Sequence, residues 1–131
     1  MTPGSVSDLK AMLTGLDPEL SSRAWCFHLL DEDGLIPQTA FAVIREAEGT
    51  CAILPAEAAP DDAPQFAKIT LRIHSDLEAV GLTSAVSNTL AMSGIACNVV
   101  AALNHDHLLV PWDHRHKALQ LVEKLSLDAR R

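Results

Sequence analysis

An α+β fold, with an antiparallel sheet backed by helices on one face, is what this sequence predicts. Three observations carry that expectation. FAKITLRIH (66–74) alternates apolar and polar residues, the period of a strand with one wet face. Leu82, Val86 and Leu90, and later Ala118, Leu121, Val122 and Leu125, recur at helical spacing. The order of elements in the second half reads strand–helix–strand–strand–helix.

Taken in order, Leu9, Met12, Leu13 and Leu16 fall at i, i+3, i+4 and i+7, one face of a short helix. Ser5 or Ser7 stands where a cap is wanted, and Gly15 where a left-handed C-terminal residue would be. Asp17-Pro18 ends the pattern. AWCFHLL (24–30) is a strand, and DEDGLIP (31–37) is turn chemistry. TAFAVIREAEGTCAILP (39–55) is a hairpin that turns at Glu48-Gly49. Pro55 to Pro64 reads as a helical turn and an exposed loop.

In the strand at 66–74, Ile69, Leu71 and Ile73 face one way, and Lys68, Thr70 and Arg72 the other. Ser75-Asp-Leu-Glu78 matches the S-x-x-E capping box, which predicts a helix from that point to Gly94. IACNVVAAL (95–103) is a strand, Asn104-His105-Asp106 a turn and HLLVPW (107–112) the partner strand. Asp113 is placed to cap the last helix. Elements in this order are the signature of ferredoxin-like modules. The first half offers three strands and a helical turn. Two such modules, at residues 1–64 and 65–131, would each be incomplete and would share sheet or core.

Composition narrows the function. The chain has 131 residues, 48% of them apolar, and a mean hydropathy of +0.14, which excludes a disordered acidic tail. Its net charge is −7 with no cluster of Lys and Arg, and it has three Phe, two Trp and no Tyr. A phosphate backbone would be repelled and base-stacking platforms are scarce, so no nucleic-acid partner is expected. MTPGSVSDLK lacks the basic and apolar regions of a secretory signal, and the longest apolar runs are short, so no membrane partner is expected either. Cys26, Cys51 and Cys97 include no CxxC pair and read as free thiols in a reducing cytoplasm.

Residues 66–125, with IREAEGT (44–50), closely resemble a group of small bacterial ACT-domain proteins. SDLEAVGLTSAVSNTLA, SGIACNVVA and HDHLLVP carry the resemblance, and their combination and order are more specific than any one of them. The resemblance implies a ferredoxin-like ACT fold with two ACT-like modules, distantly similar to the paired modules of cytosolic arginine sensors. It implies a regulatory binder of small molecules, most often amino acids, with the ligand held where modules meet. The chain departs from the family at Leu103 and Asn104, where aromatic residues often stand before the HDH.

By that resemblance the ligand is wrapped by the loop that follows the first strand, here Ser75, Asp76, Leu77, Glu78, Val80, Gly81 and Leu82. A neighbouring strand would add backbone contacts from Cys97, Asn98 and Val99. Physical chemistry supports the same place. A helix N-terminus suits a carboxylate, Gly81 lets a ligand approach closely, and Asp76 or Glu78 could meet an amino group. Each residue also has a plain structural role: Ser75 and Glu78 as caps, Gly81 for close packing, Asn98 for pairing at an edge, and Cys97 in the core.

NHDHLLVPWDHRH (104–116) holds four of the six histidines and raises a metal-dependent enzyme as the alternative. His114 and His116 lie about 200° apart around a helix axis and cannot share an ion. Only His105, Asp106 and His107 could converge, and the reading preferred for them is structural: Asp106 organises the turn and a histidine bonds across. No nucleophile motif or phosphate loop accompanies them. The expectation is therefore a non-catalytic, cytoplasmic amino-acid-binding protein without metal or cofactor, paired as a homodimer through exposed sheet edges. A pairing module without a ligand is the other alternative.

Overall fold

A computed structural model describes residues 5–60 and 62–131; residues 1–4 and 61, which belong to the first predicted module, lie outside the described residues. The described residues form three α-helices and seven strands, in the order α1 (Leu9–Thr14), β1 (Pro18–Leu20), β2 (Trp25–Leu29), β3 (Ala42–Glu46), β4 (Gly49–Pro55), β5 (Phe66–Leu71), α2 (Leu82–Ala91), β6 (Asn98–Ala101), β7 (Asp106–Pro111) and α3 (Arg115–Ala129). The strands form one antiparallel sheet ordered β3-β4-β2-β5-β7-β6, with β1 also paired to β5.

One strand joins the two halves. β7 pairs with β5 along its whole length, from Phe66↔Pro111 to Leu71↔Asp106. The opposite edge of β5 is divided: β2 meets it at Trp25↔Phe66, and β1 pairs from Leu20↔Ile69 to Pro18↔Leu71. The orders β3-β4-β2-β5 and β6-β7-β5-β1 are the same arrangement twice. β5 thus closes the first half and opens the second, while the N-terminal segment supplies the second half's last strand. Both orders contain β5, so they meet in one continuous sheet.

The alternation in 66–74 places Ala67, Ile69 and Leu71 on the helix side, fully buried with Met12, Leu16, Val86, Leu90, Leu108, Val110, Ala118 and Val122. Leu121 and Leu125 pack against that core half-buried, and Ser126 is buried instead, donating to Thr14 O at 3.2 Å. The opposite face of the sheet has a smaller cluster of Trp25, Ile53 and Leu109, with Phe41 and Phe66 against it.

Several local expectations are corrected. Asp8, not Ser5 or Ser7, caps α1, its Oδ2 accepting from Ala11 N at 2.9 Å. Gly15 keeps a negative φ; the positive φ falls on Asp17, at 46°, where Arg72 binds both its carboxylate and its carbonyl. β1 was not foreseen. Glu46 pairs with Gly49, so the hairpin turns at Ala47-Glu48. Asp106 pairs with Ala101 and belongs to β7, so the preceding turn runs through Ala102, Leu103, Asn104 and His105. Asp113 lies in a 3-10 turn (Trp112–His114), and among the described residues no side chain caps α3.

The largest correction concerns Ser75 to Glu78. The helix begins only at Leu82, with Gly81 as its N-cap. Val6 N donates to His74 O at 2.7 Å, and Asp76 N donates to Val6 O at 2.8 Å. Glu78 N is taken by Asp76 Oδ1 at 3.0 Å. The Glu78 N–H that a capping box would satisfy is already engaged, and Val6 pairs on either side of Ser75, so tertiary pairing overrides the local signal.

Candidate functional site

The chain from Ser75 to Leu82 curls away from the end of β5 and borders a cavity of about 190 Å³. Ser75, Asp76, Leu77, Gly81 and Leu82 line it, together with Thr83 and Ser84 from the first turn of α2. Met12 of α1 closes it from one side, and Ala101 of β6 and Asp106 of β7 from another. Among the described residues no side chain caps α2, whose first turn therefore presents backbone N–H groups and the positive end of its dipole. Gly81 reaches the turn with φ +107°, a conformation glycine adopts readily.

Asp106 lines this cavity, as does a second carboxylate, Asp76. Burial pushes the Asp106 carboxyl above the usual carboxylate range, and the nearby His105 opposes that shift. His105 itself is held against Ile73 O, with Nδ1 at 3.5 Å. An anion-favouring helix end and a half-buried carboxylate thus share one small hollow. Such a pair of walls suits a ligand carrying both a carboxylate and an ammonium group.

The expected residues divide. Five of the seven loop residues border the cavity, while Glu78 and Val80 do not, Val80 being 82% exposed. On β6, Asn98 is exposed and pairs opposite Leu109, and Val99 packs into the core. Cys97 lines a separate open hollow with Ser87 and Asn88 of α2, and burial raises its thiol pKa. Ala101 takes the place expected of residues 97–99. Met12, Thr83, Ser84, Ala101 and Asp106 were missed; continuing the Leu108–Val110 alternation back one step would have put Asp106 on the helix side.

The histidine-rich stretch separates, with His114 outside the helix that its spacing assigned to it. His107 points to the helix-free face, with Nδ1 2.9 Å from Thr70 Oγ1. His114 precedes α3 and His116 is exposed on it. Among the described residues no group of three His, Cys, Asp or Glu side chains could hold a metal ion. No described helix is long and apolar enough to cross a membrane.

Gly81→Leu is expected to disturb the fold as well as the loop. A Cβ there would lie 3.1 Å from Leu9 Cδ2 on a positive-φ backbone. Left-handed strain in a non-glycine residue costs about 1–2 kcal/mol. Urea unfolding should show a loss of at least that size, and an unchanged midpoint would contradict the strain.

Fold and cavity together define a paired ferredoxin-like protein with a small-molecule-sized hollow at the end of its central strand. Two family models described as ACT domain match the sequence, one over residues 4–68 and one over residues 64–124. A solved Vibrio cholerae protein of unknown function, described as a possible transport protein, is 36% identical with a TM-score of 0.74, covering 87% of this chain and 92% of its own. The regulatory subunit of aspartate kinase from Thermus thermophilus, in ligand-free form, shares the fold at 10% identity and a TM-score of 0.62, over 85% of this chain and 97% of that one. Among curated protein sequences none matches. The chain belongs to the ACT-domain family.

Proposed function

We propose that this protein is a non-catalytic regulatory module that binds an amino acid in the cavity between Ser75–Ser84 and Asp106. The observation that carries the reading is the pairing of two opposite polarities in one hollow: the uncapped first turn of α2 and the half-buried Asp106 carboxylate. The ligand's carboxylate accepts from the helix N–H groups, and its ammonium meets Asp106. At about 190 Å³ the cavity falls below the roughly 300–1,000 Å³ of drug-sized sites, which favours a small amino acid. ACT domains are typically regulatory modules that bind such ligands, which supports the same reading.

The finer organisation belongs to this proposal. The chain divides into modules at residues 1–64 and 65–131. It pairs as a homodimer, since β3 and β6 leave the sheet with open edges. It works in the cytoplasm, where Cys26, Cys51 and Cys97 remain free thiols. Isothermal titration against the twenty amino acids is expected to give heat with one or a few small members. No heat with any of them would remove the amino-acid reading and leave a pairing module.

A further inference from the structure

The helix-free face of the sheet carries a cluster that the cavity does not use. Lys68 extends from β5 on that face, with Nζ 4.6 Å from the centre of the Trp25 ring and 4.2 Å from that of Phe41. Phe41 meets the His107 ring edge-on at 4.8 Å, and His107 in turn bonds Thr70. Glu19, the acid that acts on Lys68, is already paired to Arg72 at 3.0 Å. Trp25 is 6% exposed, and its buried Nε1 has no hydrogen-bond partner among the described residues. Burial also holds the Lys68 ammonium below its usual pKa, as expected of a cation set against rings with little compensating charge.

Apolar surface runs outward from this cluster. Trp25, Phe27 and Leu29 alternate onto the same face of β2, and Phe27 meets Phe66 edge-on at 5.3 Å. Phe27 is 40% exposed, and beyond it Leu29 (62%) and Ile44 (44%) flank Cys51 in one row across three strands. From Trp25 to Leu29 the row extends about 13 Å at roughly 3.3 Å per residue. An ammonium between two aromatic walls at the end of an apolar track has the complement of a small carboxylate with an aliphatic body.

We propose that the helix-free face is a second binding site, for a short aliphatic carboxylate whose head pairs with Lys68 between Trp25 and Phe41 and whose body lies along Phe27 and Leu29. The rings exclude water from the ion pair and so strengthen it. The site lies on the opposite side of the sheet from the cavity, and its chemistry does not depend on what the cavity binds.

Trp25 reports on the site directly. The chain has two tryptophans, and Trp112→Phe leaves Trp25 as the sole indole fluorophore. Hexanoate should change its emission saturably, while hexylamine and hexanol should bind at least tenfold more weakly. Lys68→Gln in the same background should weaken hexanoate at least tenfold, with folding checked by circular dichroism. The comparison of the three probes is made without that variant, so it stands even if Lys68→Gln fails to fold. An equal response to hexanol would reduce the site to an apolar patch and overturn the proposal. So would the absence of a saturable response, or an emission change that follows protein concentration rather than hexanoate, since a second copy of the chain would then occupy the face.

Discussion

Asp106→Asn should weaken amino-acid binding by about ten- to a hundredfold. A charge-assisted hydrogen bond contributes roughly 1.5–3 kcal/mol, and each 1.4 kcal/mol is a factor of ten. The substitution keeps the size of the side chain and removes the charge that meets the ligand's ammonium. It should not unfold the protein. Burial raises the Asp106 pKa in the folded state, so the ionised form works against folding at neutral pH, and a neutral side chain relieves that. Wild-type affinity should also fall as pH drops through the raised pKa, because the protonated carboxyl no longer pairs with an ammonium. That decline should begin at a higher pH than an ordinary carboxylate would give. Calorimetry on both proteins across mildly acidic and neutral pH checks both expectations, and unchanged affinity in the variant would remove Asp106 from the site.

The second large effect concerns the division of the chain. Residues 65–131 produced alone should not fold, although they contain α2, α3 and three strands. They would lose β1 from the edge of β5, and Met12 and Leu16, both fully buried, from the helix-side core. Emptying such a position costs about 2–5 kcal/mol, against a total stability of about 5–15 kcal/mol for a domain. Circular dichroism should show a largely unfolded fragment, with structure returning when residues 1–64 are added. A cooperative unfolding transition in the isolated fragment would show instead that the second module is self-sufficient.

What the sequence made legible follows from where local chemistry and tertiary pairing agree. Strand β5 and the α2 stripe of Leu82, Val86 and Leu90 were readable because burial alone sets their periods. The start of α2 was not, because Val6 reaches in from some seventy positions earlier and engages His74 and Asp76. β1 has three residues, too few for alternation to register, and its partner lies some fifty positions away. The family resemblance pointed to the loop from Ser75 to Leu82, and five of the residues it named border the cavity. Asp106 was misplaced because an Asn-His-Asp run reads as a turn, whereas pairing with Ala101 carries the strand through it. The histidines drew notice by their number, yet strand alternation sends Asp106 and His107 to opposite faces of the sheet.

Strand β5 has a further consequence, for how such a chain can change. Its even positions look onto one environment and its odd positions onto another, and both of its edges are engaged. Each residue thus answers to a core or a face, and to neighbours from both halves. A substitution elsewhere can be absorbed within one half, whereas one in β5 must satisfy two partners at once. The chain cannot readily discard or exchange a half, because the piece that would have to stay behind is also the piece that would have to leave.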